Sequence, residues 1–303
     1  MKRSILSVPG HIAKMHIKAA SSASDVVMLD LEDSVPLSEK ETARQIVVNS
    51  VNSLDWGNKL ISLRINQPGN RFAYKDIIEI IPECGGKISS IVIPKVFSPT
   101  DIHFVEKLLE SLEDEHGITT KIALEPSIED PQGLENVSAI AGASSRNISL
   151  VFGIADFSSA IGAKLYSISG HGENEDFYPG HRWHYVLSRM VVAAKALNLM
   201  VIDAPYGNFK DPEGLRKSAN LAAALGVDGK WAIHPDQIEI INEVFSPSPE
   251  EIERALRVVQ AHEKALAIGK AAVELDGRMI DSATIRLART TLQKVNIKDA
   301  DSR

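Results

Sequence analysis

The sequence predicts an α/β protein, a (β/α)8 TIM barrel with a C-terminal helical extension, and three observations carry that prediction. Eight short apolar runs punctuate the first 235 residues. Helix-like segments fill most of the gaps, and most runs stop at polar or charged residues of the kind that does chemistry. Strand-plus-helix units with polar residues at the strands' carboxyl ends describe a barrel with an active site on its top face, so an enzyme is the first hypothesis.

In order, the runs are Ile5–Val8, Val26–Leu31, Leu60–Ile65, Ile91–Val96, Lys121–Leu124, Ile148–Ile154, Leu199–Ile202 and Lys230–Ile233. At or after their ends stand Pro9-Gly10, Glu32-Asp33, Asn66, Pro94-Lys95, Glu125 and Glu129, Asp156, Asp203 and His234-Pro235. From the second run onward they are near-continuous aliphatic stretches rather than alternating ones, as expected of parallel strands buried on both faces. Several helices announce their starts. Ser98-Pro99-Thr100-Asp101 offers an N-cap, a proline at the first helical position and an acid in the first turn, and Gly117 closes that helix. Asp211-Pro212-Glu213 opens a second, closed at Gly226. Ser248-Pro249-Glu250-Glu251 opens a third as a capping box, closed at Gly269, and the connection Asp236–Phe245 before it has helical character.

Two segments fall outside the repeat. Lys164–Trp183 is a polar, glycine-rich loop after the sixth run, of the kind that covers substrate. The other follows Gly269, with a helix near Ser282–Val295, a charged but organised stretch Glu274–Asp281 ahead of it, and a frayed end at Lys298–Arg303. We divide the chain into a catalytic barrel, residues 1–246, and a C-terminal extension, residues 247–303.

A composition of 44% hydrophobic and 24% charged residues over 303 positions fits a globular protein with a sizeable core. The formal charge of −7 argues against nucleic acid as the main partner, because phosphate neutralisation needs a basic face. One cysteine, Cys84, excludes an intrachain disulfide, and no stretch approaches the roughly 20 apolar residues that span a bilayer, so no membrane partner and a cytoplasmic location are expected.

Carboxylates from separate strand ends (Glu32-Asp33, Glu129, Asp156) suit a hard, oxygen-seeking cation such as Mg²⁺. Taken singly, Asp130 and Asp156 could instead cap helices. Arg64 could grip a carboxylate or thioester oxygen, or serve a structural ion pair. Lys95 stands where Schiff-base lysines stand in other barrels, and equally where a phosphate-contacting lysine would. His11, Lys14, His16 and Lys18 give the first loop a positive character suited to phosphates, or a solvated helix face. His181 and His184 are three apart without an HExxH pattern, so no zinc site is expected there, and His234 is expected to be a hydrogen-bonded strand-end histidine.

Six ordered motifs resemble a known family. They are Arg3-Ser4…Val8-Pro9-Gly10, Leu29-Asp30-Leu31-Glu32-Asp33-Ser34-Val35, Arg64-Ile65-Asn66, Ile93-Pro94-Lys95-Val96, Phe152-Gly153-Ile154-Ala155-Asp156 and Gly229-Lys230-Trp231-Ala232-Ile233-His234-Pro235. They are similar to the citrate lyase β-subunit-like (HpcH/HpaI aldolase) superfamily, and within it to the malyl-CoA and β-methylmalyl-CoA lyases. The resemblance implies a Mg²⁺-dependent barrel, with Mn²⁺ as a substitute, that reversibly cleaves a 3-hydroxyacyl-CoA. Malyl-CoA would give acetyl-CoA and glyoxylate. It further implies Glu129 and Asp156 as direct metal ligands, the family's Glu-x-x-x-Gly pattern fitting Glu129…Gly133 and so favouring Glu129 over Glu125. Glu32 and Asp33 would hold metal-bound waters, Arg64 would polarise the thioester oxygen, and Arg3, Lys14 and Lys95 would contact CoA and its phosphates. Leu275–Asp281 resembles the segment that reaches a neighbouring subunit's active site, with Asp276 as the proton-transfer carboxylate in a trimer or hexamer. Phe97 and Pro131-Gln132 depart from the family pattern and bear on which acyl or keto fragment is accepted. Alternatives are a citramalyl-CoA lyase releasing pyruvate, a malyl-CoA thioesterase on the same scaffold, a Lys95 Schiff-base aldolase, and a non-catalytic subunit that binds a CoA-like arm on a carrier protein.

Overall fold

The computed structural model describes residues 2–165, 182–267, 269 and 272–295. Their contacts divide the chain into two compact units, Lys2–Asn242 and a C-terminal unit from Glu243 onward.

In the first unit, β1 (Ser4–Pro9), β2 (Val26–Asp30), β3 (Leu60–Arg64), β4 (Ser90–Ile93), β5 (Ala123–Ile128), β6 (Ser149–Phe152), β7 (Met200–Asp203) and β8 (Gly229–Ala232) form a closed barrel in sequence order. Every pairing is parallel, and β8 closes onto β1 through Ser4↔Lys230, Ile5↔Trp231 and Leu6↔Ala232. The connections carry α1 (Ala13–Ala20), α2 (Lys40–Ser53), α3 (Ala73–Cys84), α4 (Pro99–Glu115), α5 (Pro131–Glu135), α6 (Val137–Ala141), α7 (Ile154–Ala160), α8 (His184–Lys195), α9 (Pro212–Ala224) and, after β8, α10 (Ile238–Val244). The eight expected strands are therefore present. The fifth is shifted: Glu125 and Pro126 interrupt the apolar run, yet the backbone pairing continues to Ile128 and places Glu125 inside the strand rather than after it.

The caps act as their residue types dictate. Ser98 and Asp101 close a capping box on α4, Asp211 accepts from the Gly214 N–H at the start of α9, and Asp130 accepts from the Gln132 N–H at the start of α5. Asp156 does not cap. Gly153 occupies the N-cap position of α7, and Asp156 lies in its first turn.

Inside the barrel, side chains stack in layers. Ile5, Val26, Met28, Val92, Val151, Ile202 and Trp231 come from six strands and form one buried cluster, a contact that strands on opposite sides can make only through the interior. A polar layer shares the interior with them. The Lys2 ammonium meets Glu125 at 3.0 Å, and the Glu125 carboxylate also accepts from the hydroxyls of Ser90 and Ser149 at 2.5 and 2.6 Å. Burial opposes ionisation of Glu125, but the Lys2 charge and these donors outweigh it and hold its pKa below the usual value.

The C-terminal unit consists of α11 (Pro249–Ala267), a hairpin of β9 (Val273–Leu275) and β10 (Arg278–Ile280), and α12 (Ser282–Lys294). Ser248 and Glu251 make the expected capping box, and Asp281 caps α12 through the N–H groups of Ala283 and Thr284. The hairpin was not announced by periodicity. Asp276 and Gly277 both take positive φ, 53° and 73°, the type I′ geometry that an Asp-Gly pair favours. Val258, Val259, Ile280, Ile285 and Leu292 are among its buried core. The glycine-rich part of the loop after β6, with His181, and the expected frayed end lie outside the described residues. Among the described residues, no helix is long and apolar enough to cross a membrane.

Glu125→Ala is expected to cost about 3–5 kcal/mol in urea unfolding at neutral pH, because it strands a buried ammonium. The pair Lys2→Met with Glu125→Leu is expected to recover most of that loss. Equal destabilisation by the single and double variants would show that packing volume, not charge pairing, sets the cost.

Candidate active site

The top of the barrel is built around one clamp. Asp30 ends β2 and Arg64 ends β3, in register with each other, and the guanidinium donates to both Asp30 oxygens at 2.6 Å. Burial disfavours both charges, but each stabilises the other, so the Asp30 pKa is held low and Arg64 stays protonated. Asp30 also accepts from the N–H groups of Glu32 and Ser34, which fixes the turn carrying Glu32 and Asp33. From below, the buried Lys40 ammonium donates to the carbonyls of Leu31 and Glu32 at 2.6 and 2.7 Å. Asn66, itself held by Asp76, donates to the same Leu31 carbonyl at 3.0 Å.

On this support four carboxylates gather. Glu32 lies 3.2 Å from Arg64 Nη1 and accepts from Lys95 Nζ at 2.6 Å. The same ammonium lies 3.0 Å from Asp33 and 3.6 Å from Asp156. Lys95 reaches them from a left-handed backbone at φ 50°, unusual for a residue with a Cβ. Glu129, just past β5, is buried, and its Oε1 has no hydrogen-bond partner. Burial and the neighbouring charges of Glu32 and Asp156 push its pKa up to about 8, against the opposing pull of Arg64. The backbone makes room for this carboxylate: a Cβ on Gly153 would sit 2.3 Å from Glu129 Cγ and 2.5 Å from Cδ.

With Asp30, five carboxylates share the mouth with two cations, Arg64 and Lys95, leaving an excess of negative charge. A buried carboxylate oxygen without a donor, beside further carboxylates, fits a hard divalent cation. Among the described residues, no group of three or more His, Cys, Asp or Glu side chains forms a ready-made metal shell. An ion that keeps most of its waters and takes one or two protein carboxylates matches that sparse donor set, which Glu129 and Asp156 could supply.

Of the residues singled out from sequence, Glu32, Asp33, Arg64, Lys95, Glu129 and Asp156 are brought together here. Arg64 combines both sequence alternatives, a structural ion pair and a place at the mouth. Lys95 was expected on CoA, but its ammonium is engaged by three carboxylates. Burial is outweighed by those partners and its pKa is raised, so the amine is not free for a Schiff base. Arg3 is corrected more sharply: it precedes β1 and binds Asp25, just ahead of β2, at 2.7 and 2.8 Å, at the amino end of the barrel and away from the cluster. Lys14 is exposed on α1, directly after β1. His16, expected to add positive charge there, is buried between Ser50 and the Pro9 carbonyl, and burial lowers its pKa. Asp276 belongs to the C-terminal unit, at the hairpin turn, where Arg257 binds it at 2.5 Å. His234 takes the Asp236 N–H on Nδ1 at 3.3 Å.

Sequence reasoning missed Asp30 and Lys40. A carboxylate inside an otherwise aliphatic strand, in a chain with an arginine ending the next run, was the available signal for Asp30. Lys40 gave none, because a lysine at a helix start reads as solvated.

The family model described as HpcH/HpaI aldolase/citrate lyase matches residues 3–235. The L-malyl-CoA/β-methylmalyl-CoA lyase of Rhodobacter capsulatus is 37% identical, covering 98% of this chain and 95% of its own. The malyl-CoA/β-methylmalyl-CoA/citramalyl-CoA lyase of Chloroflexus aurantiacus is 33% identical over 97% and 88%. Among solved structures, the CitE protein of Mycobacterium tuberculosis in complex with magnesium, acetoacetate and coenzyme A has a TM-score of 0.76 at 26% identity, covering 96% of this chain and 97% of that one.

With the Glu129 pKa near 8, a cation that binds its carboxylate displaces a proton. Mg²⁺ affinity is therefore expected to rise with pH up to about 8 and then level off, with release of about one proton per ion near pH 7. Without the ion, the same group makes stability fall as pH rises from its ordinary range through 8, because the folded state holds the proton more tightly. Calorimetric titration in buffers of different ionisation enthalpy reads the proton count; none released would remove Glu129 from the ion's contacts.

Proposed function

The chain belongs to the HpcH/HpaI aldolase/citrate lyase family, and from that membership we propose a Mg²⁺-dependent CoA-ester lyase. It reversibly cleaves malyl-CoA or β-methylmalyl-CoA to acetyl-CoA or propionyl-CoA plus glyoxylate. The observation that carries the proposal is the buried Glu129 carboxylate, whose Oε1 has no hydrogen-bond partner, beside Glu32 and Asp156 and within range of the Arg64 charge. Relatives of nearly equal length named as lyases for these thioesters supply the substrate class.

The chemistry follows from where charge develops. Cleavage removes the hydroxyl proton and breaks the C2–C3 bond. It releases glyoxylate and leaves the electron pair on the acyl-CoA carbon as a thioester enolate. Bound Mg²⁺ would supply Lewis-acid polarisation of the 2-oxo acid oxygens. Glu129 and Asp156 would hold the ion directly, and Glu32 and Asp33 would orient its waters. Arg64 has five N–H donors, of which Asp30 takes two and Glu32 faces a third, so donors remain for the enolate oxygen. Because the clamp fixes the guanidinium in advance, it needs little reorganisation as that charge forms. Lys14 is the candidate for the CoA phosphates, and Lys95 holds the carboxylates in register.

Asp276 returns a proton to the acyl-CoA carbon in cleavage and removes it in condensation. Its place in the C-terminal unit leads us to assign residues 247–303 the task of completing the site of a neighbouring copy, in a trimer or hexamer. A second reading, citramalyl-CoA as substrate with pyruvate as the keto product, is favoured by the Chloroflexus aurantiacus relative, whose name includes citramalyl-CoA.

Mass-resolved product analysis with malyl-CoA, β-methylmalyl-CoA and citramalyl-CoA, with and without EDTA, tests the proposal. We expect an acyl-CoA plus glyoxylate, abolished by EDTA; pyruvate from citramalyl-CoA would establish the second reading. Free CoA with an intact hydroxy-diacid would identify a thioesterase instead. Asp276→Ala is expected to lower turnover by about 10²–10⁴-fold, the range for one positioned acid or base, while Mg²⁺ binding is kept. Lost Mg²⁺ affinity in that variant would move Asp276 into the metal shell.

A further inference from the structure

The planar guanidinium of Arg64 carries its N–H bonds in its own plane, so its carboxylate partners meet it at the edges. Asp30 takes Nε and Nη2, and Glu32 stands at Nη1. Both partners come from β2 or the turn after it, on one side of β3. They fix the edges of the group, but its plane can still tilt about the axis of the Asp30 contact. One face is covered from elsewhere. The Arg64 Cζ lies over the indole of Trp231, 5.4 Å from the ring centroid. Trp231 belongs to β8, which β1 and β2 separate from β3 in the closed barrel.

The indole is firmly seated. Trp231 is buried in the interior cluster with Ile5, Met28 and Val92, and Val92 is the β4 residue in register with Arg64. Side chains alternate along a strand, so its neighbour Lys230 points out of the barrel interior. There the buried Lys230 ammonium donates to Asp203, at the end of β7, at 2.5 Å and pins β8 to that strand. On the other side, the Lys230 N–H donates to the Arg3 carbonyl at 2.8 Å. A Cβ on Gly229 would sit 2.3 Å from the Lys2 carbonyl oxygen, so β8 lies hard against the start of the chain.

We propose that Trp231 is a positioning residue for the lyase reaction: its π face sets the tilt of the Arg64 guanidinium and so aims the remaining N–H groups at the enolate oxygen. The proposal rests on the CoA-ester lyase reading above and deepens it. A ring face attracts a cation through its quadrupole and takes none of its hydrogen-bond donors. A further carboxylate here would hold Arg64 as firmly, but it would use up a donor and add to an already negative mouth. An aliphatic side chain would leave the donors free and supply no attraction. The indole meets both needs. Because the enolate charge develops only as the C2–C3 bond breaks, a misdirected donor costs turnover more than substrate binding.

Trp231→Phe and Trp231→Leu in the full-length chain test this, because both shorten the side chain and one keeps an aromatic face. Trp231→Leu is expected to lower kcat for malyl-CoA cleavage about tenfold, with KM changed less, as for loss of a partly desolvated cation–π contact. Trp231→Phe is expected to stay within about threefold of the unmodified chain. Trp231→Met, which also lacks a π face, gives the same comparison should the leucine variant fold poorly. A second readout needs no substrate. In protein labelled at arginine nitrogen, the Arg64 Nε–H resonance feels the ring current of the indole, and its shift is expected to move further in Trp231→Leu than in Trp231→Phe. Equal kcat in the two variants, whether both normal or both impaired, would overturn the proposal, as would an Arg64 resonance that neither variant moves. An unmodified chain that cleaved none of the thioesters would overturn the lyase reading, and this role with it.

Discussion

Five carboxylates cannot share the mouth of one barrel unless something holds them against their mutual repulsion, and the bidentate Arg64–Asp30 clamp is the first of those restraints. It joins the ends of two adjacent strands with charge-assisted bonds in a buried setting, where they are strong and leave little freedom. The rest of the site is assembled on it. Asp30 organises the turn that presents Glu32 and Asp33, Lys40 and Asn66 hold that turn's carbonyls from below, and Lys95 bridges across to Asp156. Glu129 is left as the group with the least local compensation, which raises its pKa. Stability at this end of the barrel is given up locally for a site that is ready before its ligands arrive.

The two interior polar groups show how similar residues are sorted. Glu125 and Glu129 lie four apart around the same strand, and both are buried. Glu125 has a lysine and two serine hydroxyls and stays ionised with nothing further to bind. Glu129 has a buried oxygen with no donor. The difference in partners, not in residue type or burial, separates a structural carboxylate from one available to a metal.

Much of the fold was legible because the barrel repeats one unit eight times, so a misjudged boundary did not disturb the pattern. The helix starts at Ser98, Asp211 and Ser248 were legible because capping is local chemistry. Glu125 was misplaced relative to its strand because strand ends were inferred from hydrophobicity, and the backbone ladder continued past a glutamate and a proline. The charged cluster was visible as residue types at strand ends, but its wiring was not: Asp30 hid inside an aliphatic run, and Lys40 acts on backbone carbonyls that no side-chain pattern encodes. His16 was misread as surface charge, because its partner Ser50 lies on the next helix. Arg3 sat in a motif that resembles the family, yet one strand's length separates its end of the barrel from the other. The Asp276-Gly277 turn could have been read as a hairpin, had the dipeptide been weighed, whereas the stretch Glu274–Asp281 was read only as charged but organised.

The central claim is that the charge imbalance at the barrel mouth is a site for a divalent ion held by Glu129 and Asp156. Anomalous scattering from crystals grown with Mn²⁺ tests it most directly. The account predicts a peak between those two carboxylates, within about 2.0–2.3 Å of an oxygen of each, as expected for hard cations of this size. It also predicts no such peak in Glu129→Gln. A strong peak elsewhere, or one that persisted at the same place in the variant, would contradict the assignment and return the carboxylate cluster to a structural role.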